Sequence, residues 1–149
     1  MTLVFIDANV FIYTAGRPHP LKAPCGRVID LVSKHPDAFF TDAEVFQETL
    51  HRCIALRLWP LMRDVFVESA ALMTGRIEPL LPADVERAAS LADRYPVLSA
   101  RDLVHWAVMQ RVGAARIVTA DGNFGGLPGI ERLDPMLVDE WRETVASEN

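Results

Sequence analysis

A chain of 149 residues, half of them hydrophobic and 23% charged, has the composition of one globular domain with a core of its own. Its formal net charge of −5 excludes a protein that holds nucleic acid by bulk positive charge. It leaves room for one that engages phosphates through a metal ion and a few arginines. No apolar run approaches the roughly 20 residues a bilayer requires, and Asp7 interrupts the first apolar stretch, which has no basic segment before it, so no signal peptide is expected.

In chain order, residues 2–6 (TLVFI) read as a buried strand, continuous rather than alternating in apolar character. Asn9 to Tyr13 opens a short helix, and GRPHP (16–20) is a breaker-rich loop. Leu21 to Lys34 reads as a helix with Val28, Ile29, Leu31 and Val32 on its apolar side. After a turn at His35-Pro36-Asp37, AFFT (38–41) is a second strand. Thr41-Asp42-Ala43-Glu44 has capping-box spacing and opens a helix to about Leu58. Pro60 suits the first turn of another, to about Met73, with Gly75 after it. Most large apolar residues of Leu58–Met73 are expected in the core, and any excess left exposed would mark a partner surface.

RIEPLL (76–81) is a third strand candidate, and Pro82 begins a helix through Arg94. Ser99-Ala100-Arg101-Asp102 is again a capping box, opening a helix to about Val112 that Gly113 closes. ARIVT (115–119) and IERL (130–133) are the last strands, and Pro135 begins a final helix to about Ala146. Strands separated by helices, with buried-looking strands, predict an α/β fold: a three-layer α/β/α sandwich around a mainly parallel sheet of four to five strands. Residues 1–146 form a single domain, with a short polar tail at 147–149. Cys25 and Cys53, without CxxC spacing, are expected as free thiols in a reducing cytoplasm.

Ligands of an open parallel sheet bind beyond the carboxyl ends of its strands. Asp7 ends the first strand, Asp121 follows the fourth, and Asp102 and Glu48 lie in the first and second turns of helices starting near that edge. Clustered carboxylates repel unless a cation sits between them, and an oxygen-rich site suits Mg²⁺ or Mn²⁺. Ordinary roles remain open on pattern alone: Asp7 as a helix cap, Asp102 as the acid of its capping box, Asp121 as a turn residue. Glu48 lies outside the apolar stripe of its helix (Val45, Phe46, Thr49, Leu50, Cys53, Leu56), and periodicity does not choose between it and Glu44.

Four segments in order, VFIDANVFIY, TDAEVFQETLHR, LSARDLVHWAVMQ and VTADGNFGGLPGIERLDP, resemble the PIN-domain ribonucleases, in layout the VapC-type toxins of type II toxin–antitoxin systems. The resemblance places the family's four acids at Asp7, Glu48, Asp102 and Asp121, as catalytic residues and metal ligands, and so selects Glu48 over Glu44. Many relatives carry a further acid where this chain has Asn123, which implies a leaner site, with one ion bound tightly and one supplied with substrate. Asn9 and Thr119 would orient the carboxylates, as would Asn123.

The resemblance implies Mg²⁺- or Mn²⁺-dependent endoribonuclease activity on RNA, a homodimer, and inhibition by a small cognate VapB-type antitoxin. Arg17, Lys22, Arg52 and Arg57 are candidates for RNA phosphate contacts. His105, three residues after Asp102 and close enough to share its helix face, has a role near substrate open to it but reads first as a core-edge histidine. Two alternatives stand beside this reading. A haloacid-dehalogenase-like phosphatase also places an Asp after its first strand but needs an acid where Asn9 stands. A catalytically weak PIN-like RNA- or protein-binding domain would keep the fold without turnover.

Overall fold

A computed structural model describes residues 2–149. At its centre lies β1 (Val4–Ile6), whose three residues are all 0% exposed. Successive strand side chains point to opposite faces, so full burial of all three means that both faces of the sheet are covered. The apolar run before Asp7 is therefore a middle strand. β2 (Phe39–Asp42) and β4 (Arg116–Val118) flank it, β3 (Ile77–Glu78) lies outside β2, and β5 (Glu131–Leu133) outside β4. All four pairings are parallel, with Phe5 opposite Phe40 on one side and Ile117 on the other.

The covering helices are α1 (Ala8–Ala15), α2 (Lys22–Lys34), α3 (Ala43–Ala55), α4 (Trp59–Leu72), α5 (Pro82–Ala92), α6 (Ala100–Val112) and α7 (Val138–Ser147). α1 packs on α2, α3 and α4, and α2 on α7, whereas α5 and α6 pack on each other. One continuous core runs from Val4 to Val145. The expected α/β sandwich with its parallel sheet is borne out, at five strands.

Local boundaries differ from the sequence reading in informative ways. Thr41 does not cap α3; it stays in β2 and its hydroxyl donates to Ile6 O at 2.8 Å. Asp42 is the cap, its Oδ1 accepting from Val45 N at 2.8 Å. α3 stops at Ala55 rather than Leu58 because Arg57 takes a left-handed conformation, φ 56°, which an α-helix cannot continue through. The third strand shrinks to Ile77–Glu78 at the sheet edge. Pro135–Leu137 forms a 3-10 turn ahead of α7, so the last α-helix begins at Val138.

The expectation that most of Leu58–Met73 is core fails. Met62 and Met73 are buried, but Leu61 is 76% and Val67 59% exposed. α4 packs on α3 and α1 with one side and leaves Leu61 and Val67 outside, among the exposed Arg63, Asp64 and Glu68. At the other end, Glu148 accepts from Arg116 Nη1 at 2.6 Å, tying the end of α7 to β4.

Candidate metal and active site

β1, β2 and β4 deliver Asp7, Asp42 and Thr119 to one edge of the sheet, and α3 and α6 begin at the same edge. A cleft of about 230 Å³ opens there, lined by Asp7, Asn9, Tyr13, Glu48, Arg52, Asp102, Ala120 and Asp121. The four acids expected to converge thus share one cavity wall. They come from positions far apart in the chain, so only the folded arrangement of sheet and helices brings them together.

Asp7 is 5% exposed and combines two roles that its sequence position left as alternatives. Its Oδ1 accepts from Ala8 N at 2.7 Å and caps α1. Its Oδ2 accepts from Thr119 Oγ1 at 2.7 Å and Asn9 Nδ2 at 3.2 Å. Burial raises its pKa above the ordinary aspartate value, against the lowering effects of His105, Thr119 and the Ala8 amide. Thr119, itself fully buried, accepts from Asn9 Nδ2 and from Asp121 N, each at 3.0 Å. Asn9 Oδ1 in turn accepts from Ala120 N at 3.0 Å. Asn9 and Thr119 therefore join the Asp7 strand to the Asp121 turn.

Asp121 Oδ1 accepts from Asn123 N at 2.9 Å. The described contact of Asn123 with the site is through its backbone, and the residue is otherwise exposed. Asp102 closes the capping box with Ser99: its Oδ2 accepts from Ser99 N at 2.9 Å and its N donates to Ser99 Oγ at 3.2 Å. The cap occupies one carboxylate oxygen and holds the side chain at the cleft. Glu44 pairs with Arg101, 3.4 Å off, and Glu48, one turn further on, lines the cavity. This packing supplies the choice that helical periodicity lacked.

Beneath Asp7 and Glu48 lies His105, 0% exposed and not at the core edge as its sequence position suggested. Its Nδ1 is 2.7 Å from Asp42 Oδ2. Its Nε2 is 3.8 Å from both Asp7 Oδ1 and Glu48 Oε2, is fully buried, and has no hydrogen-bond partner among the described residues. Burial disfavours the charged ring, but the hydrogen bond to Asp42 and the nearby carboxylates of Glu48 and Asp7 outweigh it, and the pKa rises to about 10. Glu48 shifts the other way: burial would raise its pKa, yet His105, Arg101 and Arg52 hold it below the ordinary glutamate value.

Sequence reasoning singled out His105 but preferred the core edge for it, and it missed Asp42, Tyr13 and Arg132 as site residues. Asp42 ends β2 as Asp7 ends β1, which was a legible signal. Arg132 donates from Nε to Thr119 O and from Nη2 to Ala120 O, each at 3.1 Å, and so braces the turn that carries Asp121. Its position on an edge strand held no such hint. Of the RNA-contact candidates, Arg52 lines the cleft. Arg17 lines an adjoining apolar groove with Tyr13, His19, Leu56 and Leu58. Lys22 donates to Gly16 O at 2.7 Å, and Arg57 is exposed.

The carboxylates suit a hard divalent cation with oxygen ligands, and Asp7, Glu48 and His105 present ligand atoms within 4.8 Å of one another. A PIN domain family model matches residues 4–129. The chain belongs to the PIN-domain family. Within it, similarity is to VapC ribonucleases: 38% identity to Ribonuclease VapC23 of Mycobacterium tuberculosis, covering 80% of this chain and 93% of that protein. Ribonuclease VapC13 of the same species is 34% identical, covering 88% and 99% respectively.

Among solved structures, FitAcB from Neisseria gonorrhoeae superposes with a TM-score of 0.67 at 18% identity, covering 89% of this chain and 98% of that one. Mycobacterium tuberculosis VapC20, described as a sarcin–ricin loop cleaving toxin, gives 0.63 at 20%, covering 84% and 95%. The phosphatase alternative finds no support in this family. Asn9, where that chemistry needs an acid, instead donates an amide hydrogen to Asp7.

Proposed function

We propose that the chain is a metal-dependent endoribonuclease of the VapC type, hydrolysing RNA phosphodiester bonds as the toxin of a toxin–antitoxin pair. The observation carrying this reading is the convergence of Asp7, Glu48, Asp102 and Asp121 on one cleft, in a chain whose relatives are named ribonucleases. These four carboxylates would hold Mg²⁺ or Mn²⁺ directly or through water. When bound, such an ion neutralises charge on the phosphate and makes a nearby water more acidic.

The remaining work falls to the chain itself. Asn9 and Thr119 fix the rotamer of Asp7, so its oxygens face the cleft without reorganisation. The Asp102 cap does the same from α6. A carboxylate with an oxygen free of these bonds accepts the proton of the attacking water. Arg52, on the cleft wall, would meet a phosphate oxygen, with Arg17 and Lys22 as further candidates.

A VapB-type antitoxin and a second copy of the chain are the proposed partners. Support for the first comes from a structural neighbour described as a toxin–antitoxin complex, from Klebsiella pneumoniae, with a TM-score of 0.60 at 19% identity. Leu61 and Val67, exposed on α4, give a partner apolar side chains to cover. No helix among the described residues is long and apolar enough to cross a membrane.

The test is cleavage of a structured RNA panel, tRNAs included, by the purified chain in Mg²⁺ or Mn²⁺, beside Asp7→Ala and an EDTA control. Cutting that needs the metal and is lost in Asp7→Ala is the expected result. Equal behaviour of the two proteins would overturn the nuclease reading and favour the RNA- or protein-binding alternative.

A further inference from the structure

Tyr13 lines the carboxylate cleft and also lines a second groove of about 270 Å³, so the two cavities share a wall. Ile12 reaches this groove from α1, Leu56 and Leu58 from the α3–α4 connection, and Arg17 and His19 from the loop after α1. Arg17 brings a positive charge to a lining that is otherwise largely apolar. Tyr13 and His19 lie ring against ring, their centroids 4.5 Å apart and their planes tilted by 32°.

The loop that carries His19 is pinned. His19 Nδ1 accepts from Leu21 N at 3.1 Å, Lys22 N donates to His19 O at 3.0 Å, and Lys22 Nζ donates to Gly16 O at 2.7 Å. Pro18 and Pro20 restrict the backbone on either side. His19 is exposed, so core packing is not what places it. The two rings form an aromatic platform set before any ligand arrives, and a planar group that stacks on it meets little ordering cost.

We propose that this groove is a base-binding subsite: it takes an unpaired RNA base whose phosphate lies in the carboxylate cleft, with Tyr13 and His19 as the stacking pair and Arg17 as a phosphate contact. The inference rests on the reading that the cleft acts on RNA, and it adds that the strand is unpaired beside the bond that is cut. Unpaired bases stack on Tyr and His side chains, and every base has a π-face to offer. A base inside a duplex is already stacked on its neighbours and does not enter. A chain with a net charge of −5 gains little affinity from bulk attraction to the RNA backbone, so stacking supplies what charge does not. An aliphatic protein side chain would use the same apolar walls, but it brings no anion to Arg17 at the groove or to Arg52 on the cleft wall.

The test uses a single-stranded ribose-phosphate octamer that is abasic except for one central 2-aminopurine, beside the fully abasic octamer. Both carry a terminal fluorescein, so anisotropy reads binding, while quenching of 2-aminopurine emission reads stacking. They are titrated in Mg²⁺ with full-chain Asp7→Asn, chosen to keep them uncut, and with the same chain carrying Tyr13→Leu or His19→Ala in addition. The 2-aminopurine octamer should bind more tightly than the abasic one, with its emission quenched. Each added substitution should weaken its binding by roughly 5- to 100-fold and relieve the quenching, while binding of the abasic octamer changes little.

Equal affinity for the two octamers, or binding without quenching, would overturn the proposal. A base-dependent affinity that both substitutions leave intact would also overturn it and leave the groove to a protein segment. An equal loss on the abasic octamer would show damage to the cleft rather than to stacking, with the same consequence. If Tyr13→Leu does not fold, His19→Ala, at an exposed position, decides alone. No readout depends on cleavage, so a wild type that cuts no RNA would refute the nuclease reading, whereas the subsite stands or falls on base-dependent binding.

Discussion

Thr119→Val isolates the hydroxyl that joins the two halves of the site. Valine matches threonine in shape, so no cavity opens in a position that is 0% exposed. What disappears is the donor to Asp7 Oδ2 at 2.7 Å and the acceptor for Asn9 Nδ2 and Asp121 N. A hydrogen bond to a charged group is worth about 1.5–3 kcal/mol. Asn9 Nδ2 keeps its contact with Asp7 at 3.2 Å, and the partly exposed Asp121 amide can turn to water, so these two losses add little. The expected cost is about 2–3 kcal/mol, a melting point lower by roughly 5–10 °C.

Freeing the Asp7 rotamer and the Asp121 turn together should also raise the Mn²⁺ concentration for half-maximal cleavage by roughly 10–100-fold, the range for lost support of metal-facing side chains. Thr119→Ser, which keeps the hydroxyl, should recover most of the metal response. Urea unfolding and cleavage rates across a Mn²⁺ titration read the two effects separately. Lost stability with an unchanged metal response would show that Thr119 only packs, and an unchanged pair of values would refute the assignment altogether.

Three further outcomes follow from other parts of the chain. Asp84 is buried, which would raise its pKa, but Arg111 at 2.9 Å and the Leu81 amide at 2.9 Å hold it below the usual aspartate value. A lowered native pKa contributes stability that is full above the unfolded value of 3.8 and is lost as the pH falls through the native one. Asp84→Asn should therefore be less stable than wild type in urea at pH 7, with the gap narrowing below about pH 4. Cys25 is fully buried, and burial together with Asp134 pushes its thiol up to about 12. Ellman's reagent at pH 8 should leave it unreacted in the native protein and modify it at once in guanidinium. Arg57 holds a left-handed backbone at φ 56°, so Arg57→Gly should raise the melting point by a few degrees in calorimetry, as about 1–2 kcal/mol of relieved strain exceeds about 0.5–1 kcal/mol of glycine's entropy cost.

The expected fold came through almost intact because its signals are local and redundant. A continuous apolar run such as Val4–Ile6 has no amphipathic face, and only a strand covered on both sides uses one. The Ser99–Asp102 box formed as read because both its hydrogen bonds lie within one turn of α6. The box at Thr41 failed because Thr41 had a competing partner 35 residues away, the Ile6 carbonyl. α4 misled for a different reason. Apolar content says how much surface a helix would bury, and nothing in the residues says whether a neighbour is present to bury it.

Site residues divide along the same line. Asp7 and Asp121 were legible because strand ends in a parallel sheet mark the ligand edge, and the family's motif pattern pointed to Glu48. Glu48 lines the cleft, whereas Glu44, one turn earlier on α3, pairs with Arg101. Composition and order along the chain determined the strands, the helices and the edge at which charge would gather. Tertiary structure alone decided the charge balance at that edge: Asp42, His105 and Asp7 are separated in sequence by 35 residues or more, and their meeting depends on β1, β2 and α6 packing to ångström tolerance. Distance along the chain carries no information about such contacts, whereas electrostatic energy in a buried site depends on little else.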